Sequence, residues 1–269
     1  MKAFGKVYMG VIFTLMYLPL AVMVLFSFNE SNSTAKFTGF TLHWYQEMLS
    51  DSAAMNALRN TLVLALLSTL IATVLGTLAA VGIFGLKNKW FKTGVMSVSN
   101  IPMMNPDIVT GVSLMLLFAF VGRMLGAVES LGFGTILIAH VTFNLPYVVL
   151  NVLPKLVQTD PHLAEAAQDL GSTPVQAFFR VVLPSISSGV VSGALMAFTL
   201  SIDDFVISHY TSGGYTTLPL LIYTMTKKRV TPEMYAVCSV IFLSVLLLLL
   251  IMNISQFRQA KKATGAGKK

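Results

Sequence analysis

Charge is what this 269-residue sequence has least of: Asp and Glu together number 11, and charged residues make up 11% of the chain. An ordinary soluble domain carries about 25%. With 55% hydrophobic residues, the chain reads as an integral membrane protein. Its single cysteine, Cys238, excludes an intrachain disulfide and argues against a cysteine-ligated metal. No G-x-x-x-x-G-K-[ST] phosphate loop occurs, and the terminal "GAGKK" lacks the spacing, so any ATPase must be another polypeptide. H-E-x-x-H and G-x-S-x-G are missing, and His43, His140, His162 and His209 are scattered, which leaves no catalytic constellation.

What is present is a set of long apolar runs. A helix needs roughly 20 such residues to cross a hydrocarbon core of about 30 Å. Six spans are expected, near Val7–Phe28, Asn60–Leu86, Gly94–Val121, Phe133–Leu153, Ser185–Ile207 and Met234–Ile254. The first follows Lys2 and Lys6 but lacks a small-residue cleavage site, so it reads as a retained signal anchor. The fold class is therefore all-α and polytopic. Residues 1–55 hold the first span and an outer interfacial segment that contains "LHWYQEML", 56–254 the transmembrane core with a polar loop at 155–184, and 255–269 a basic tail. Trp44 and Tyr45 suit either a helix at the membrane interface or a packed surface helix.

Orientation follows from Lys and Arg. With both termini cytoplasmic, that side holds Lys2, Lys6, Lys87, Lys89, Lys92, Lys155, Arg180, Arg258, Lys261, Lys262, Lys268 and Lys269. The other side holds Lys36, Arg59, Arg123, Lys227, Lys228 and Arg229, so the balance is twelve to six. The net charge of +7 is thus a topology signal rather than a nucleic-acid footprint.

The polar loop carries helix punctuation. Asp160 suits an N-cap before Pro161, and Gly171 suits a left-handed stop, which predicts about ten residues or 15 Å of helix. Leu163, Ala166, Ala167 and Leu170 recur on one face; Glu165, Gln168 and Asp169 fall on the other. A second helix is expected after Thr173, with Pro174 first and Gln176 closing a capping box. Such a loop can rest on the bilayer or dock into a protein. Small alanines and an acidic face fit docking better, since surface-lying helices carry Lys or Arg and bulky anchors.

Membrane-depth acids are functional candidates by default. Asp107, Asp203 and Asp204 stand out, and each has a plain alternative. Asp107 sits in "NPD", where Asn105 suits a cap and Pro106 a first turn; Pro102 and Pro106 also predict a broken third helix. Asp203 and Asp204 come about 28 Å along the fifth helix from Pro184, where simple hydration is the alternative. His140 and Asn144 share a face of the fourth helix and fit interhelical hydrogen bonding. Tyr223 offers an aromatic face to a cation or an interfacial anchor.

The spacing E165-A166-A167, three residues, G171, nine residues, V181, one residue, L183-P184 resembles the "EAA" signature of bacterial ABC importer permeases, with Val181 where isoleucine is usual. "GFTLHWY", "MNPDIV", "HVTFNLPYVV", "FTLSIDDFVIS" and "LPLLIYTM" extend the likeness to permeases of spermidine/putrescine type. The resemblance implies a type I importer permease fold in a bacterial inner membrane. It also implies a non-enzymatic pathway for polyamines, a coupling helix at Glu165, Ala166, Ala167, Asp169, Leu170 and Gly171, and substrate contacts at Asp107, Asp203, Asp204 and Tyr223. Implied partners are a second homologous permease, two ATPase subunits that bind the ATP and magnesium, and an extracytoplasmic polyamine-binding protein; the chain itself holds no cofactor. A permease for another small cation or anion, or an ion-coupled secondary transporter, stands as the alternative.

Overall fold

In the computed structural model the described residues are 2–31, 36–126, 131–228, 232–244, 246–247 and 250. Arg229, the end of the sixth expected span and the basic tail lie outside them. Among the described residues the chain is helical, with one isolated bridge between Asn29 and Phe40. It divides into two units, residues 1–58 with 221–269 and residues 59–220.

The first unit contains α1 (Lys2–Phe26), α2 (His43–Ser50), most of α12 (Leu218–Lys228) and α13 (Pro232–Ser244). The described residues between α1 and α2 are folded around Asn29, which is fully buried. Its Nδ2 donates to the Lys36 carbonyl at 2.9 Å, its Oδ1 accepts from Thr38 N–H at 2.9 Å, and its carbonyl accepts from Trp44 Nε1 at 2.7 Å. Trp44 and Met48 turn inward from α2. The packed alternative for "LHWYQEML" is therefore the one realised at Trp44, because the indole N–H is used inside the protein.

The second unit holds most of α3 (Ser52–Gly85), then α4 (Lys89–Met104), α5 (Asp107–Met124), α6 (Phe133–Gln158), the polar loop, α10 (Ser187–Asp203) and α11 (Val206–Thr211). On α3, Leu64, Ser68, Ala72, Gly76 and Ala80 are buried at intervals of four. Leu66, Leu70, Val74 and Leu78, offset by two residues and hence on the opposite face, are exposed. Bulk outside and small residues inside is the reverse of a soluble helix. It is the pattern of a helix in lipid, where burial of leucine gives no gain and close backbone packing does.

That packing centres on Val148 of α6. A Cβ added at Gly76 of α3 would lie 2.7 Å from the Val148 side chain, and one at Gly193 of α10 would lie 3.1 Å from Val148 Cα. One helical turn away, a Cβ at Gly189 would meet the Asn151 carbonyl at 2.8 Å. Gly189 and Gly193 form a G-x-x-x-G face that lets α10 approach α6 closely. The apolar core around this contact includes Ala72, Val149, Val152, Ile186 and Ala197.

Four helices among the described residues are long and apolar enough to cross a membrane, or five with one bent pair. The third expected span is broken, as its prolines predict, into α4 and α5. Asn105 does not cap α5: it ends α4, Pro106 takes the N-cap position, and no side chain caps the helix. The fifth span differs at both ends. It begins at Ser187 after a 73° bend and stops at Asp203 rather than continuing to Ile207. The sixth is described only as far as the helix Pro232–Ser244 and the few residues beyond it.

Candidate functional site: the polar loop and the buried polar junction

The loop between α6 and α10 is built by its caps. Asp160 Oδ1 accepts from His162 N–H at 2.9 Å and Leu163 N–H reaches the Asp160 carbonyl at 3.2 Å. These bonds make a turn of residues 160–162, so α7 (Leu163–Asp169) has seven residues rather than ten. At its end Ser172 N–H donates to the Ala167 carbonyl at 3.1 Å and Gly171 N–H to the Gln168 carbonyl at 2.8 Å. This pair is a Schellman motif, and Gly171 at φ +89° supplies the left-handed residue it needs. Thr173 and Gln176 then close the capping box of α8 (Pro174–Ala177).

A π-helical turn, Phe178–Val182, and α9 (Leu183–Ser185) complete the loop. The wider turn precedes Pro184, which has no N–H and would clash with the Arg180 carbonyl in a regular α-helix. α7 packs on α8 and the π turn. Ala167 and Ala177 are buried there. The expected stripe therefore divides: Ala167 faces into the loop, Leu163 is half-buried, and Ala166 and Leu170 point out with Glu165 and Asp169. Leu170 is 89% exposed, and Val175 and Phe179 are also exposed. His162 Nδ1 and Glu165 Oε2 are 2.9 Å apart. The Glu165 carboxylate, by that hydrogen bond and its charge, and then Asp160 hold the imidazole pKa above its ordinary value of 6.5.

The second constellation lies where α10 gives way to α11. Asp204 Oδ2 accepts from Ser208 N–H at 2.7 Å and Ser208 Oγ at 2.8 Å, while Oδ1 accepts from Ile207 N–H at 3.2 Å. Those bonds make a side-chain turn that ends α10 and starts α11, which is why the fifth span stops early. A carboxylate here also meets the positive end of α11. His140 of α6 brings Nε2 to 3.0 Å from Ser208 Oγ and 3.4 Å from Asp204 Oδ2. Its Nδ1 lies 3.2 Å from Ser201 Oγ, which also accepts from Asn144 Nδ2 at 2.7 Å and meets Ser68 Oγ at 2.9 Å.

The two adjacent aspartates thus differ. Asp203 is exposed, whereas the Asp204 side chain is 6% exposed with its oxygens taken by protein donors. The pathway role expected of Asp204 meets a carboxylate committed to its own helix. Asp107 is exposed in the first turn of α5. Tyr223 belongs to the other unit, where Lys227 Nζ lies 4.5 Å above its ring. Ser68, Ser201 and Ser208 were not singled out from sequence, although Ser201 and Ser208 bracket the quoted "SIDDFVIS". Among the described residues no group of three or more His, Cys, Asp or Glu is placed to hold a metal.

Comparison with known proteins bears on both regions. A family described as "Binding-protein-dependent transport system inner membrane component" matches residues 72–265. The putrescine transport system permease protein PotI of Escherichia coli K12 is 38% identical over 230 residues, covering 85% of this chain and 82% of that protein. The spermidine/putrescine transport system permease protein PotC of Haemophilus influenzae is 35% identical, covering 91% and 93%; that of E. coli K12 is 33% identical, covering 96% of each. Among solved structures, a chain of a bacterial ABC transporter importing the acidic polysaccharide alginate superposes with a TM-score of 0.70 at 14% identity, covering 95% and 94%. A chain of the MetNI methionine ABC transporter gives 0.59 at 20% identity, covering 75% and 95%. These likenesses show the fold.

Proposed function

This chain belongs to the family of binding-protein-dependent transport system inner membrane components, and from that premise we propose that it is the polyamine-conducting permease subunit of an ATP-driven importer. It is a multi-pass inner-membrane transport component and not an enzyme. On our reading both termini and the loop 155–184 are cytoplasmic. An extracytoplasmic binding protein delivers spermidine or putrescine, a second homologous permease completes the pathway, and two ATPase subunits bind ATP and magnesium.

The observation that carries the coupling role is the exposed Leu170, with Glu165, Ala166 and Asp169 beside it, on a loop closed by two caps and a left-handed glycine. Apolar side chains at a polar loop surface need a partner, and a rigid loop passes on a partner's displacement. ATP-driven closure of the ATPases moves the loop, the loop moves α10 through the bend at Ile186, and the pathway opens to the binding protein. Hydrolysis resets it.

For the pathway, the exposed Asp107 and Asp203 are the proposed cation contacts. A carboxylate and an ammonium at 4 Å attract by roughly 4 kcal/mol at an effective dielectric of about 20. Asp203 also stands at the C-terminal end of α10, where the helix dipole favours a cation. Two separated contacts of this size guide a flexible polycation past a desolvated stretch without holding it. Asp204 joins this pathway only as a support, and Tyr223, in the other unit, is proposed separately as an aromatic contact for the cation.

The test is uptake of radiolabelled spermidine and putrescine by the complete complex in liposomes, with ATP inside. Uptake that needs the ATPases, the binding protein and ATP supports the reading. Transport by this chain alone along an ion gradient contradicts it.

A further inference from the structure

Asp107 is exposed although it lies deep along its helix. It opens the 18-residue α5, about 25 Å from Met124 at the other end. The ion pairs among the described residues all involve histidine, and Asp107 is in none of them. A carboxylate without an ion pair at that depth faces protein or water rather than hydrocarbon.

Its surroundings are aromatic. Gly111, one turn further along the same face of α5, is buried, and a Cβ there would lie 3.0 Å from Tyr210 Cδ2 and 3.5 Å from Ile207 Cα of α11. A side chain at position 111 would press on that ring, so glycine is what lets Tyr210 lie across α5 one turn from Asp107. From α6, Tyr147 packs against the cluster of Ala139, Phe143 and Ile207, and it lies within electrostatic reach of the Asp107 carboxylate. The depths agree, since Tyr147 is about 21 Å along α6 from Phe133. Both tyrosines are half-buried, and a neighbouring ring meets each of them at an angle: Phe143 meets Tyr147 at 5.5 Å and 65°, and His209 meets Tyr210 at 5.2 Å and 74°. Three helices therefore bring one carboxylate and two tyrosine rings to one place.

We propose that Tyr147 and Tyr210 complete, with Asp107, a subsite for one ammonium group of the permeating cation. This rests on the reading of Asp107 as a pathway contact. An ammonium that leaves water must recover its hydration from the protein. The carboxylate supplies charge, and the negative faces of the two rings supply attraction without a second charge. One carboxylate between neutral rings draws the cation in and lets it leave.

The experiment uses the complete complex in liposomes, with saturating binding protein and ATP inside, and reads spermidine uptake. Tyr147→Leu and Tyr210→Leu are each expected to lower uptake about fivefold, the scale of one cation–π contact. Tyr147→Phe and Tyr210→Phe, which keep the ring, are expected to retain about half the wild-type rate or more. Asp107→Asn is expected to lower uptake about tenfold, and in that background either leucine should cost less than about twofold more, because the subsite has already lost its charge. A purely structural role for the tyrosines gives losses that multiply with Asp107→Asn instead. Where a leucine variant does not assemble, a fluorinated phenylalanine takes its place, since fluorine weakens the negative face of the ring and keeps its shape. Wild-type uptake in both tyrosine variants, or losses that multiply with Asp107→Asn, overturns the proposal and leaves the pathway reading standing if Asp107→Asn itself lowers uptake. Unchanged uptake in Asp107→Asn removes the pathway reading of Asp107 and the subsite with it.

Discussion

The chain restarts a helix at two places by opposite means. Between α7 and α8 the backbone makes the turn, with Gly171 left-handed and the last carbonyls of α7 closed by main-chain N–H groups. Between α10 and α11 a side chain makes it, and Asp204 is consumed in doing so. A turn made by backbone leaves its side chains free, and Leu170 and Glu165 face outward. A turn made by a side chain hides that group, while its neighbour Asp203 stays exposed. Exposure of a motif residue therefore follows from which atoms close the turn.

The sharpest break in this comparison is at the two aspartates. Asp204→Leu leaves Ile207 N–H, Ser208 and His140 without their buried acceptor, and about 3 kcal/mol of stability is expected to go. Asp203→Leu, one position away and exposed, is expected to stay within about 0.5 kcal/mol. Thermal denaturation of the two purified complexes measures the contrast, and equal losses would show that the aspartates are not divided as described.

Next in size is Gly171→Val. There is open space around a Cβ at this position, so the cost is the backbone alone, about 1–3 kcal/mol for a β-branched residue at positive φ. The loop is expected to open, with ATP hydrolysis continuing while spermidine uptake falls about tenfold. Parallel assays of phosphate release and uptake read the uncoupling.

Leu170→Asp sharpens the same point. At 89% exposure the change is expected to leave the melting temperature of this chain unaltered, while ATP-driven uptake falls by about tenfold. A melting shift with normal uptake would assign Leu170 to the fold rather than to a partner.

The smallest effect concerns His162. Its pKa is raised by Glu165 and Asp160, so its pairing with Glu165 is complete below pH 6.5 and fades as pH rises through the higher folded value. Because the pair is exposed, only a slight pH dependence of the loop is expected. Titration of the imidazole by NMR in wild type and in Glu165→Gln checks the direction: removing the carboxylate lowers the midpoint.

How far the sequence could be read follows the same division. Caps are local, so Gly171, Thr173 and Gln176 show their roles within six residues, and these caps were legible. The helix start was misplaced because Asp160 bonds His162 N–H instead of capping further in. Among the described residues four spans, or five with the bent pair, were legible from apolar length, and the break at Pro106 from its missing donor. The junction was not, because its members come from four helices and Ser68 meets Ser201 across 133 positions. His140 and Asn144 showed as polar residues on an apolar face, and hydrogen bonding between helices was the right expectation for them. Nothing local distinguished Asp203 from Asp204; burial did, and burial is set by α6.

The loop 155–184 is proposed as a docking surface for a separate ATPase. Leu170→Cys in a Cys238→Ser background, within the complete complex, tests it by crosslinking to cysteines placed on the ATPase subunit. An efficient crosslink is expected, one whose yield changes on ATP binding and which stops spermidine uptake once formed. Uptake at the normal rate with no crosslink at any ATPase position, or with the crosslink fully formed, would contradict it.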